Sequence, residues 1–204
     1  MTVLEILERG GWMMLPIYGC FLASLALALE RLLVFRRAGS ARPSEALEGL
    51  IDRLRRDGAD SAGPLVGQLP PALRGIALTA VKLNGNPGER SRDRLVAAGQ
   101  EQLHLLQQNM AVLATLAAVA PLLGFLGTVT GMIRAFMSVQ AQGASVTPAV
   151  LAGGIWEALV TTGAGLAVGI IALVLHNLLA ARIDNQAVLL GRSAELLLDA
   201  AEGR

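Results

Sequence analysis

Glu157 is the only charged side chain between Arg134 and Arg182. It is preceded by 22 uncharged residues (Ala135–Trp156) and followed by 24 more (Ala158–Ala181), the latter rich in Leu, Val, Ile, Ala and Gly. A carboxylate beside or inside an apolar helix is costly. Such groups tend to face a bundle interior or a wet cavity, and to mark ion paths and proton relays. On a helix, Thr161, Gly165 and Gly169 continue the ridge that starts at Glu157, each four residues on. Thr161 is therefore the nearest hydroxyl on that helix. Thr162 points about 140° away from Glu157 on an ideal helix. Two adjacent threonines can serve two surfaces, a helix contact and a pore, and one helix alone does not choose between them.

The apolar run before this one carries small residues at Ala117, Ala120, Gly124, Gly127 and Gly131. Steps of three and four place them in one stripe along a helix. Small stripes bring membrane helices close together, because packing joins them where lipid is already apolar. Thr128 sits beside the stripe. Its hydroxyl has two readings: bonding to its own backbone, or lining a polar path. Glu157 also has two. Counting back about 20 residues from Arg182, a membrane thickness, reaches only Thr162. If Arg182 marks the inner edge, Glu157 falls near the outer interface, where a first-turn glutamate is favoured by the helix dipole. The alternative is proton handling.

Composition points to a membrane. Of 204 residues, 53% are hydrophobic and only 16% charged, against about a quarter charged in soluble domains. The net charge of +1 gives no basic field for nucleic acid, and none is expected as a partner. Cys20 lies in an apolar run and reads as a packing residue. His176 reads as a packing or interface residue more readily than as a relay. No histidine or cysteine set suggests a metal, and no cofactor is expected. A Walker A loop and a nucleophile elbow are both absent from the sequence, so a pump driven by nucleotide hydrolysis is disfavoured and the chain is not expected to be an enzyme.

Three segments are long and apolar enough to span. The expected layout is a periplasmic segment 1–9, span one at 10–30, a cytoplasmic helical region 31–108, span two at 109–134, a periplasmic loop 135–154, span three at 155–181 and a cytoplasmic tail 182–204. The fold class is all-α: an integral membrane protein with three transmembrane helices and long cytoplasmic helical extensions. Ala26-Leu27-Ala28 looks like a signal cleavage site, but Glu5 and Glu8 against Arg9 lack the positive start such a signal needs. Span one is therefore expected to be retained. Arginines sets the orientation: Arg31, Arg36, Arg37, Arg42, Arg90, Arg92, Arg94, Arg182 and Arg192 on one side, Arg9 and Arg134 on the other. In the cytoplasmic region, Pro43-Ser44 opens a helix with Leu47, Leu50, Ile51 and Leu54 on one face, stopped by Gly58. Pro70-Pro71 opens another with Leu73, Ile76, Ala77, Ala80 and Val81. A turn follows at Asn84–Gly88. From about 89 to 138 the pattern predicts one helix, roughly 75 Å long. The tail Asp184–Ala201 extends span three with Leu189, Leu190, Leu196 and Leu197.

Two stretches carry a family likeness: Ala117-Ala118-Val119-Ala120-Pro121-Leu122-Leu123-Gly124-Phe125-Leu126-Gly127-Thr128-Val129-Thr130-Gly131-Met132 and Ile155-Trp156-Glu157-Ala158-Leu159-Val160-Thr161-Thr162-Gly163-Ala164-Gly165-Leu166-Ala167. They resemble the second- and third-span signatures of the MotA/TolQ/ExbB proton-channel family, most similar to its ExbB branch. The four-span MotA branch fits poorly. The resemblance implies a homo-oligomer, a pentamer, in the bacterial inner membrane around the spans of two ExbD-like single-span subunits. Proton flow would pass work to a TonB-like protein, with lipid as the surrounding medium. It implies that the family's intramembrane glutamate is Glu157, its second-span polar residue Thr128 and its third-span threonine Thr162. The essential aspartate would belong to the ExbD-like partner. Many relatives carry proline where Ile171 stands, so no proline kink is expected there. A TolQ-like role in envelope maintenance, or a scaffold that conducts nothing, are the alternatives.

Overall fold

The computed structural model describes residues 11–39, 45–83, 90–143 and 147–202, and among these the regular structure is helical throughout. The elements are α1 (Met14–Ala38), α2 (Glu45–Arg56), the single turn α3 (Ala59–Ala62), a 3-10 segment (Gly63–Gln68), α4 (Pro71–Leu83), α5 (Ser91–Gln107), α6 (Met110–Gln142) and α7 (Pro148–Ala201). Among the described residues, three helical stretches are long and apolar enough to cross a membrane: Met14–Ala38, Ser91–Gln142 and Pro148–Ala201. The protein is thus an all-α, multi-pass membrane protein. Much of 135–154, expected as a loop, is helix, because α6 runs to Gln142 and α7 begins at Pro148. α7 continues unbroken through Ile171, as expected without a proline there. The starts of span one and of α2, and the Asn84–Gly88 turn, lie outside the described residues.

Contacts divide the chain into two units. The first takes residues up to Leu29 together with Asn109–Leu178. Its spans turn large apolar side chains outward. Leu122, Phe125 and Phe136 on α6 and Leu159 and Ile170 on α7 are all exposed, as lipid- or partner-facing surfaces require. Inside, Ala117, Ala120, Gly124, Gly127 and Gly131 of α6 and Ala158, Gly165 and Gly169 of α7 are buried.

The second unit takes Glu30–Gln108 and the chain from Leu179 onward. Its core is apolar and continuous: Leu47, Leu50 and Leu54 of α2, Leu73, Ile76 and Ala77 of α4, Leu95 of α5, and Leu190 and Leu197 of the α7 tail. Each fully buried leucine or isoleucine contributes about 1.5–3 kcal/mol. The faces read from periodicity in α2 and α4 are the buried ones, and Ile51 packs partly buried against them. In the tail, Leu196 instead faces out. Gly58 ends the α2 segment at φ 82, a backbone that glycine adopts freely.

The helix expected from 89 to 138 is not continuous. It breaks at Gln108–Asn109, where Asn109 takes a left-handed φ of 60. Asparagine is among the few non-glycine residues that tolerate this region. The end of α5 has carbonyls without helical partners. The buried Arg31 guanidinium supplies one, its Nη1 donating to the Leu105 carbonyl at 3.1 Å while Nη2 pairs with Glu30 at 2.8 Å. Arg31, counted in the sequence as an orienting surface charge, is in place a helix cap. Pro121 sits inside an unbroken α6.

Candidate functional site

Helices α6 and α7 pack antiparallel along the two glycine ridges. The contacts are tightest where side chains are missing. A Cβ on Gly127 would overlap the Thr161 side chain, and one on Gly131 would lie 3.0 Å from Ala158 Cβ. One on Gly165 would lie 2.6 Å from the Ala120 carbonyl oxygen, and one on Gly169 2.5 Å from Pro121 Cγ and 3.1 Å from the Ala117 carbonyl oxygen. Gly154, not singled out from the sequence, meets Ala135 in the same way. Every residue named for packing (Ala117, Ala120, Gly124, Gly127, Gly131, Gly165, Gly169) is therefore in this interface or buried along it. Backbones this close are what small residues permit.

The hydroxyls separate by face. Thr161 is 1% exposed, in the notch of Gly127, and its Oγ1 donates to the carbonyls of Ala158 (2.8 Å) and Glu157 (3.1 Å) of its own helix. Thr162 turns to the partner helix, where its Oγ1 donates to the Gly124 carbonyl at 2.9 Å. Thr128 remains partly exposed and donates to the Phe125 carbonyl of its own helix at 2.6 Å. The structure thus gives Thr161 to helix packing and Thr162 to a cross-helix bond. His176 Nδ1 lies 3.3 Å from Asn177 Oδ1.

Glu157 is held from two sides. Arg134 Nη1 on α6 donates to its Oε1 at 2.7 Å, within the range of charge-assisted bonds. On the other side is Gly11, ahead of α1, with φ +64. A Cβ there would overlap the Glu157 carboxylate and lie 3.3 Å from Arg134 Nη1. Neither Arg134 nor Gly11 was picked out from the sequence as a partner of Glu157. One signal was available. Arg134 is the last charge of one apolar run and Glu157 the first of the next, and an antiparallel hairpin brings such ends together. Glu157 lies about 25 residues before Arg182, roughly 38 Å along a helix. That exceeds the ~30 Å hydrocarbon core; the side chains are 25% (Glu157) and 44% (Arg134) exposed.

Gly11→Ala is expected to displace the carboxylate and leave the fold intact, because the overlapped atoms are the end of a flexible side chain. The left-handed backbone adds strain of about 1–3 kcal/mol. Thermal unfolding in detergent measures the strain, and faster chemical modification of the Glu157 carboxyl reports the lost pairing.

The profile of the MotA/TolQ/ExbB proton channel family matches residues 71–191, more than half of the chain. The chain belongs to this family. Over 186 residues it is 30% identical to biopolymer transport protein exbB1 of Vibrio cholerae, covering 88% of this chain and 80% of that protein. An ExbB homolog of Methanothermobacter thermautotrophicus is 29% identical over 185 residues, 91% of this chain, of which the chain spans 65% of the length. The Tol-Pal system protein TolQ of Haemophilus influenzae is 36% identical over 87 residues, 43% of this chain and 38% of that protein. Membership makes the protein a proton-channel-type subunit of the ExbB/TolQ kind. It also gives the α6–α7 ridges a setting, since both signature stretches lie within the matched region.

Proposed function

We propose that the chain is the larger subunit of a proton-driven motor of the bacterial inner membrane. Five copies surround the spans of two ExbD-like subunits, and proton flow energises a TonB-like protein for outer-membrane transport. The N-terminus and the α6–α7 connection face the periplasm. The second unit and the C-terminus face the cytoplasm, where the arginines cluster. The observation that carries this reading is the ion-paired Glu157 within a glycine-notched helix pair. Helices that pack this closely give a rigid wall, and α6 and α7 contribute Thr128 and Thr162 hydroxyls able to bond to water or to a partner's carboxyl. Thr161 serves the packing. A proton crossing the membrane releases about 2.3 kcal/mol per 100 mV, enough to bias a step between two packings a few kcal/mol apart.

The test is proton flux into liposomes carrying the chain with and without the ExbD-like subunit. Flux is expected only with both. Glu157→Ala is expected to abolish it while membrane insertion is unchanged, because Arg134 is left as an unpaired cation. Wild-type flux in Glu157→Ala removes this residue from the mechanism. No flux from the complete assembly favours a scaffold. The likeness to the TolQ protein supports a second reading, envelope maintenance in place of transport. Complementation of strains lacking one system or the other separates them.

A further inference from the structure

The geometry points to Arg134 as the positioning residue of this site. We infer that it locks Glu157 into a charge-neutral strut that braces α6 against α7, so that Glu157 lines the proton path without carrying the proton. This rests on the proton-channel reading and decides between the two roles that reading leaves to Glu157.

Three observations carry it. First, the 2.7 Å Arg134–Glu157 contact joins two helices between the Gly131–Ala158 and Gly154–Ala135 rungs of the glycine ladder. Protonating Glu157 would leave a guanidinium facing a neutral acid, and arginine does not give up its own proton. Each proton passed through Glu157 would require the pair to open. Second, Gly11 lies so close that the carboxylate occupies the place of the missing Cβ, which limits where the side chain can swing once released. Third, the next hydroxyl on the Glu157 ridge offers no open station. Thr161 is 1% exposed, and its Oγ1 is directed at the carbonyls of Ala158 and Glu157. A relay along that ridge stops one turn in. Thr162 and Thr128, on other faces, are both less enclosed.

The strut and the carrier predict opposite outcomes for one pair of substitutions. Glu157→Gln alone leaves a lone cation at the channel end and is expected to lower proton flux at least ~tenfold, as unpairing a coupled charge does. Adding Arg134→Gln removes that cation, and two glutamine amides can donate and accept across the same gap. The double variant is expected to recover to within ~threefold of wild type, on the scale of independent sites. If the double variant stays as inactive as the single one, Glu157 is a carrier and the inference falls. A second measurement does not depend on flux. Infrared spectra of the full chain in lipid at neutral pH are expected to show no protonated-carboxyl absorption that Glu157→Gln removes. Such a band in the wild type overturns the strut. If the complete assembly conducts no protons, the motor reading falls alone, and the infrared result still decides the state of Glu157.

Discussion

Gly165→Leu is expected to separate α6 from α7. A Cβ at Gly165 would stand 2.6 Å from the Ala120 carbonyl oxygen, 2.7 Å from Gly124 Cα and 2.9 Å from Gly124 N. All three are backbone atoms of an intact helix, so no rotamer change relieves the overlap. Overpacking a tight core typically costs 1–3 kcal/mol. Here three more carbons follow the Cβ, and moving the helices apart also breaks the Thr162–Gly124 bond. The cost should reach the upper end of that range or pass it. Gly163→Leu is the control, because a Cβ there meets nothing within 4 Å. Thermal unfolding in detergent should show a large drop for Gly165→Leu and little change for Gly163→Leu. Equal melting of the two variants would contradict the notched interface.

Leu197→Asp should unfold the second unit. Leu197 is fully buried in the core shared by α2, α4, α5 and the α7 tail. The substitution forfeits about 1.5–3 kcal/mol of apolar burial. It also places a carboxyl where the neighbours are apolar, at a further cost of several kcal/mol. Whole domains are stable by only ~5–15 kcal/mol. Leu196→Asp, one position earlier and 37% exposed, should be close to neutral. Limited proteolysis reads the difference: rapid cleavage within residues 45–107 is expected for Leu197→Asp alone. A protected core in that variant would show that the tail is not part of it.

What could be read in the residues was local and periodic. The α6 stripe and the Glu157 ridge follow from spacing, since a helix places positions three and four apart on one face. The Pro70-Pro71 start of α4 is likewise a property of adjacent residues. The break at Asn109 was hidden because no glycine or proline marks it. Its left-handed backbone is accompanied by a cap from Arg31, 74 residues from Leu105 in the chain. The Arg134–Glu157 pair was hidden for a related reason. Each charge was visible, but their meeting depends on the register of α6 against α7. The two threonines show the same limit in miniature. Their faces were distinguishable from spacing, yet only the position of α6 assigned one to packing and the other to a cross-helix bond.

The α6–α7 contact also constrains motion. Its teeth are the Thr161 side chain, the Cβ atoms of Ala158 and Ala135 and the Pro121 ring, each set in a glycine notch, and at Gly124 and Gly165 backbone meets backbone, so sliding one helix by a single residue would bring Cβ atoms and carbonyls into collision at several levels together. Small displacements along the axis are therefore penalised all along the seam, and intermediate alignments have no comfortable resting place. Whatever stroke this subunit makes, these two helices should make it as one solid piece, and any compliance must reside outside the seam.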